Sequence, residues 1–100
     1  MELKTIVHTN DQEHSKEPLE RLVETNISSK LAAYLEKFNK PEAEGVIDVT
    51  VNKNKKERFD GKIQATLDGK SFRFEREDYK KLDDLVNHLF EHFKESLSDM

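Results

Sequence analysis

The sequence contains no cysteine and no tryptophan, only two prolines and three glycines, and only 34% hydrophobic residues. The lack of cysteine excludes disulfide bonds and thiolate-bound zinc, and it is typical of proteins from a reducing compartment. No apolar run approaches the roughly 18 residues of a membrane-spanning helix, and the first residues lack the pattern of a secretion signal. We therefore expect a soluble, cytoplasmic protein with no membrane partner.

The length of 100 residues fits one domain over residues 1–100 with one modest core. Because charged residues make up 38% of the chain, this core must be thin and one-sided. The hydrophobic residues fall into periodic blocks, which is typical of a folded chain.

Positive charge is concentrated in the middle of the chain. Residues 52–81 contain ten Lys or Arg against six Asp or Glu, a net charge of +4, whereas the remainder has seven against fifteen, a net charge of -8. The middle segment is therefore a basic island in an acidic protein, and this distribution says more about partners than the total charge of -4 does.

The first part of the chain predicts a strand and then a long helix. Residues 2–9, "ELKTIVHT", are rich in β-branched residues. Ser15 is a suitable N-cap, which would place Pro18 in the first helical turn, and Pro41 and Gly45 are expected to end the helix. Between them, hydrophobic residues recur at steps of three and four over about six turns. They are Leu19, Leu22, Val23, Ile27, Leu31, Tyr34, Leu35 and Phe38.

Three strands and a second helix follow. Alternation predicts strands with the inward residues Ile47, Val49, Val51, Phe59, Ile63, Ala65, Leu67, Phe72 and Phe74. Asp68-Gly69 is a strong hairpin signal because glycine accepts a positive φ, whereas the earlier connection, "NKNKKE", is long and basic. Asp78 has the residue type of an N-cap, and from there the stripe of the last helix is Tyr79, Leu82, Leu85, Val86, Leu89, Phe93 and Leu97.

The predicted order is β-α-β-β-β-α. Each strand has one hydrophobic face and each helix one hydrophobic stripe, so both helices should pack on one face of a four-stranded sheet. This is an α+β fold like that of double-stranded-RNA-binding domains. The face of the sheet that the helices do not cover should be polar and open.

The stretch "HLFEHF" in the last helix matches H-x-x-E-H, the spacing of inverted-motif zinc peptidases. On a helix, however, His88, Glu91 and His92 lie about 100° or more from the centre of the hydrophobic stripe. A hydrolytic zinc site needs a third ligand and a shaped cavity. We interpret the three residues as an exposed ridge with Asp84 and Glu95; a surface metal site on the two histidines is the alternative.

No other catalytic set is recognisable. His8 and His14 stand alone in the sequence, and Asp83 and Asp84 are consecutive and point in different directions on a helix. There is no phosphate-binding glycine loop. We expect no enzymatic activity, no cofactor, no metal and no small-molecule substrate.

The basic island instead predicts contacts with RNA phosphates, which require cations that can approach a nucleic-acid backbone. The alternative interpretation is a solvated hairpin whose lysines block strand pairing. The candidate RNA-binding residues are Lys53, Lys55, Lys56, Arg58, Lys62, Arg73, Arg76, Lys80 and Lys81. We place the first four on a mobile hairpin, Lys62 and Arg73 on the open sheet face, and Lys80 and Lys81 at the start of the last helix.

Three segments carry a family resemblance: "KLAAYLEKF", "GKIQATLDGKSF" and "EDYKKLDDLVNHLFEHF". With the predicted element order, they resemble the short form of the ribosome hibernation-promoting factors and ribosome-associated inhibitors. The resemblance implies a protein that binds ribosomal RNA of the small ribosomal subunit under stress or in stationary phase. It also implies inhibition of translation by occlusion of the tRNA and mRNA channel. The last helix, ending "HLFEHFKESLSDM", departs from the Lys- and Arg-rich helix usual in that family.

Two other interpretations remain open. The acidic remainder and the less basic last helix are compatible with a diverged protein-interaction module of the same fold that no longer binds RNA. A generic double-stranded-RNA-binding domain ranks lower, since its lysine cluster is represented only by Lys80 and Lys81.

Overall fold

The computed structural model describes residues 2–38 and 42–99. Their order is β1 (Glu2–Thr9), α1 (Gln12–Asn26), a π-helical turn (Ile27–Leu31), α2 (Ala32–Leu35), a 3-10 turn (Glu36–Phe38), β2 (Glu44–Lys53), β3 (Phe59–Leu67), β4 (Lys70–Tyr79) and α3 (Leu82–Ser98). The predicted α+β fold, with a four-stranded sheet covered by helices on one face, is confirmed.

The sheet has the strand order β1-β2-β3-β4. β1 is parallel to β2 because the helical segment crosses over between them, and the other two pairs are antiparallel. The predicted hairpin at Asp68-Gly69 is confirmed, with φ values of 49° and 83° that suit a two-residue turn.

The core lies between the sheet and the helices, and the predicted inward residues of β2 and β3 are buried there except Phe59, which is half-buried. Helix α3 buries a wider face than its predicted stripe, because Phe90 is fully buried although it lies outside that stripe. Its ring lies 6.5 Å from that of Phe93, between centroids. The spacing of Val86, Phe90, Phe93 and Leu97 is itself helical and would have identified this residue.

Helix α1 begins earlier than predicted. It starts at Gln12, so Ser15 is inside the helix and Pro18 lies beyond its first turn; both predicted placements are wrong. The cause is a tight link from β1, in which the Thr9 hydroxyl accepts the Asp11 N–H and the Gln12 amide donates to the Thr9 carbonyl. Ser15 instead donates its hydroxyl to the Asp11 carboxylate at 2.6 Å.

The predicted long helix extends to Phe38, but it is irregular after Asn26. The Ser28 and Ser29 hydroxyls bond to the carbonyls of Glu24 and Thr25, at 2.8 and 2.7 Å, beside the π-helical turn. Such side-chain bonds compete with the regular helical pattern. Pro41, predicted to end this helix, lies outside the described residues, and Gly45 lies within β2.

The start of α3 is also later than predicted. Asp78 is a residue of β4 with a φ of 65°, and the helix begins at Leu82 with Lys81 at the N-cap position. Strand β4 continues because Tyr79 pairs with Phe59 beyond an irregularity where β4 has one extra residue opposite β3, and the Asp60 carboxylate accepts the Asp78 N–H at 2.8 Å. Lys80 and Lys81 therefore precede the helix.

Candidate nucleic-acid interface

The connection between β2 and β3, which the sequence predicted as a mobile hairpin, is a turn whose hydrogen bonds are centred on Asn54. The Asn54 side-chain oxygen accepts the backbone N–H groups of Lys56 and Arg58, at 2.9 and 3.1 Å. The Asn54 N–H donates to the Arg58 carbonyl at 2.7 Å, and Glu57 adopts a φ of 62°. The exposed side chains of Lys55 and Lys56 are therefore carried on a defined backbone.

This turn is tied to the segment before α3 through Asp78. Arg58 Nη1 lies 3.1 Å from Asp78 Oδ2, and Asn54 Nδ2 lies 3.4 Å from Asp78 Oδ1. Asn54 also donates to Asp60, the residue that accepts the Asp78 N–H. Because the two connections are linked, they lie together at one end of the sheet.

We call this region the basic end and define it by four lysines. All four are exposed, and none forms an ion pair within residues 2–38 and 42–99. They are Lys55, Lys56, Lys80 and Lys81. The four lysines place unpaired positive charge on two neighbouring connections. The residues that join these connections, Asn54 and Asp78, are 24 positions apart in the sequence.

Lys53 and Arg58 belong to the same region, but their charges are compensated. Lys53 Nζ lies 3.5 Å from Glu57, 3.9 Å from Asp11 and 5.6 Å from the centre of the Phe59 ring. Arg58 is paired with Asp78. These two predicted residues therefore organise the basic end more than they add free charge to it.

The open face of the sheet is not a positive surface. Strand alternation places three basic residues on it, Lys4, Lys62 and Arg73, and six acidic residues, Glu2, Glu44, Asp48, Asp60, Glu75 and Glu77. Arg73 Nη2 lies 2.6 Å from Glu75 Oε1. The pKa of Glu75 is lowered mainly by the hydrogen bond and charge of Arg73, with a smaller contribution from Lys62.

Arg76 occupies a third environment. It pairs in the sheet with Gly61, whose position faces Leu85 and Leu89 of α3. Arg76 Nη2 lies 3.3 Å from His92 Nδ1, so this arginine contacts the helix side at the edge of the sheet. The nine predicted residues thus divide between the basic end, the open face and this edge.

The three residues of the H-x-x-E-H pattern are exposed, as predicted for a ridge. Tyr79 Oη lies 2.8 Å from His88 Nδ1, and Glu91 lies 3.9 Å from both Lys30 and Lys94. In the described part of the chain, no group of three His, Asp or Glu residues is arranged to hold a metal ion.

The three predicted inward aromatic residues of β3 and β4 pack on the core side. Phe72 and Phe74 each lie 5.3 Å from Phe93, between ring centroids. Phe59 packs against the core and lies beneath Lys53. Their position on the helix-covered face leaves the open face without an aromatic platform for stacking bases in the described strands.

The fold and the basic end define an α+β domain with a lysine cluster at one end of its sheet. The same fold occurs in the crystal structure of the Thermus thermophilus Protein Y N-terminal domain, with a TM-score of 0.67 and 17% sequence identity. The similarity covers 99% of this chain and 98% of that domain. No family model matches the sequence, and no curated protein matches it either. Among the described residues, no helix is long and apolar enough to cross a membrane.

Proposed function

We propose that this protein is a non-enzymatic, ribosome-associated factor that binds the small ribosomal subunit through its basic end. The observation that carries the proposal is the set of four exposed, unpaired lysines on two linked connections. Lysines in such a setting bind phosphates as point charges, and the ordered turn reduces the entropy lost on binding.

A sequence resemblance and a likeness of fold support a ribosomal partner. The sequence resembles the ribosome hibernation-promoting factors, and the fold matches a Protein Y domain, which belongs to that family. At 17% identity the structural likeness shows the fold alone, so the assignment of a ribosomal partner is ours.

The proposed mechanism is steric. The domain measures 43 × 25 × 21 Å, and its basic end lies at one end of the four-stranded sheet. Phosphate contacts at that end would position the remainder of the domain where tRNA or mRNA binds, and would thereby inhibit translation under stress or in stationary phase. No bond needs to be made or broken in this mechanism.

The direct test is co-sedimentation with small ribosomal subunits at low and moderate salt. The test variant carries Lys55, Lys56, Lys80 and Lys81 changed to Glu, and the matched control carries Lys4, Lys37, Lys70 and Lys94 changed to Glu. Both variants have the same net charge, so only the position of the change differs. We expect the control to remain in the pellet at low salt and the test variant to leave it.

Absence of the unmodified, folded protein from the pellet at both salt concentrations would overturn the proposal. Equal loss of binding in both variants would show that total charge, rather than the basic end, controls association.

The second candidate function is protein binding by the same fold. The observation that favours it is α3, which has acidic residues in its first turn and no basic residue in its last. Binding to a protein partner through this acidic helix should survive the four-lysine change that abolishes RNA binding.

A further inference from the structure

We propose that the free edge of β1, together with the groove between β1 and α1, binds an extended peptide by strand addition. The peptide would carry a hydrophobic residue and a Lys or Arg two positions apart. This inference does not depend on ribosome binding, because the β1 edge and the basic end use different residues.

The first observation concerns the backbone of β1, which is paired on one side only. Lys16 Nζ donates to the Val7 carbonyl and Gln12 Nε2 to the Thr9 carbonyl, both at 3.0 Å. Backbone groups alternate along a strand, so the odd residues of β1 direct their N–H and C=O groups away from β2. Leu3 and Thr5 share that direction, and their outward groups have no partner in the described part of the chain.

The second observation is the groove itself, which has a volume of about 580 Å³. Thr5 and Val7 of β1 form one wall, and the half-buried Ile27 contributes hydrophobic surface from the helical side. A strand added to β1 would place every second side chain towards this groove, so main-chain bonds and side-chain burial would act together.

The charge of the groove determines the occupant. Lys16 is bonded to the Val7 carbonyl and lies 3.8 Å from Glu20, so these two charges compensate each other. Glu24 lines the same groove and forms no ion pair among residues 2–38 and 42–99. A basic side chain on the added strand would pair with Glu24. On the added strand, the side chains that face the groove are two residues apart. At about 3.3 Å per residue, the hydrophobic and the basic residue of the peptide are therefore separated by about 6.6 Å.

The opposite edge of the sheet is less suitable for strand addition. Strand β4 contains an irregularity in its pairing with β3 and a positive φ at Asp78. Irregularities and charged residues are the usual protection of an edge strand. Strand β1 has an unbroken eight-residue register with β2. Lys16 and Gln12 cover its edge only at the Val7 and Thr9 carbonyls, so the regular, uncovered part of the edge lies at Leu3 and Thr5.

The probe is an acetylated and amidated heptapeptide, Thr-Val-Thr-Val-Thr-Lys-Thr, titrated into the full chain up to about 1 mM, the affinity range of a weak complex. We expect saturable shifts of the amide signals of Leu3, Thr5 and Val7, with hydrogen exchange at Leu3 and Thr5 slowed at least tenfold. The control peptide, with Lys replaced by Glu, should bind at least fivefold more weakly. Unchanged exchange at Leu3 and Thr5 at 1 mM peptide would overturn the proposal.

Thr5→Pro is the most direct test of strand addition, because proline removes an outward N–H that β2 does not use. It should abolish peptide binding, whereas Thr5→Val should retain it. If circular dichroism shows Thr5→Pro to be unfolded, Glu24→Lys decides: it should lose the preference for the Lys peptide and bind the Glu peptide at least fivefold more tightly than the unmodified protein does. Full binding by folded Thr5→Pro, or an unchanged preference in Glu24→Lys, would contradict strand addition at this edge.

Sedimentation velocity tests whether a second copy of the chain, rather than a peptide, occupies the β1 edge. A concentration-dependent dimer that Thr5→Pro abolishes would assign the edge to a second copy of the chain and would overturn the peptide proposal. Folded Thr5→Pro should still co-sediment with small ribosomal subunits as the unmodified protein does, so failure of one proposal is separable from failure of the other.

Discussion

The basic end and the open face both contain residues of the basic island, but their charges are in different states. At the basic end, four lysines are exposed without ion pairs, while Lys53 and Arg58 pair with carboxylates and hold the connections together. On the open face, Arg73 is bonded to Glu75 and acidic residues outnumber basic ones.

The comparison shows that a run of basic residues does not define an interface. A cation already paired with a carboxylate must break that pair before it can bind phosphate, and much of the gain is then lost. Three experiments test whether this difference controls RNA binding, and a fourth tests the Arg73–Glu75 pair itself.

The largest effect is expected from charge reversal at the basic end. Changing Lys55, Lys56, Lys80 and Lys81 to Glu should weaken binding to a structured RNA at least about 50-fold at roughly 100 mM salt, because several phosphate contacts are lost. It should also flatten the dependence of log K on log salt concentration. A loss of less than about fivefold, measured by fluorescence anisotropy, would place the interface elsewhere.

Asn54→Ala should have an intermediate effect without changing the net charge. It removes the side chain that orders the turn and contacts Asp60 and Asp78. We expect a loss of about 1–2 kcal/mol in the free energy of unfolding, measured in urea, and RNA affinity about three- to tenfold lower because the lysines are less organised. Unchanged RNA affinity would mean that the lysines act independently of the turn.

Neutralising the open face should have a smaller effect. With Lys62 and Arg73 both changed to Gln, RNA affinity should stay within about twofold, because Arg73 is paired with Glu75 and Lys62 acts on the same carboxylate, on a face exposed to screening. Lys55 and Lys56 changed to Gln serve as the matched pair at the basic end and should lose clearly more affinity. Equal losses would remove the distinction between the two regions.

The smallest effect concerns the pKa of Glu75, which Arg73 lowers. Arg73→Gln should raise this pKa towards its ordinary value, as measured by NMR titration of the side-chain carboxyl group. A carboxylate with a lowered pKa in the folded state stabilises the fold above its unfolded pKa and loses that contribution as pH falls through the folded value. Arg73→Gln should therefore reduce the acid-side dependence of stability slightly, since Glu75 is exposed. An unchanged pKa would show that the Arg73 contact is not maintained in solution.

Alternation of residue types was sufficient to predict the inward faces of β2 and β3 and the hairpin at Asp68-Gly69. It was not sufficient to place the start of either long helix. Asp78 has the residue type of an N-cap, yet pairing between Tyr79 and Phe59 extends β4 past it. Such pairing depends on a strand about 20 residues away, which local propensity does not report.

The nine candidate RNA-binding residues also show that local sequence does not report contacts between distant residues. Their enrichment between residues 52 and 81 was visible in the sequence, but their pairing was not, because Arg58 and Asp78 are 20 residues apart and meet only through the sheet. The contact between Arg76 and His92 likewise requires α3 to lie beside the edge of β4. Tertiary structure decides which of these charges remain free.

The turn at Asp68-Gly69 also has a consequence for the order of folding. It joins β3 and β4 through only two residues, and hairpins of this kind form in about 1–10 μs. Strand β1 meets β2 only after the intervening chain from Thr9 to Glu44 has closed, which slows that pairing. We therefore expect β3 and β4 to form the early nucleus and β1 to pair last. During folding, the edge of β2 that later binds β1 would then remain unpaired and open to pairing with another chain.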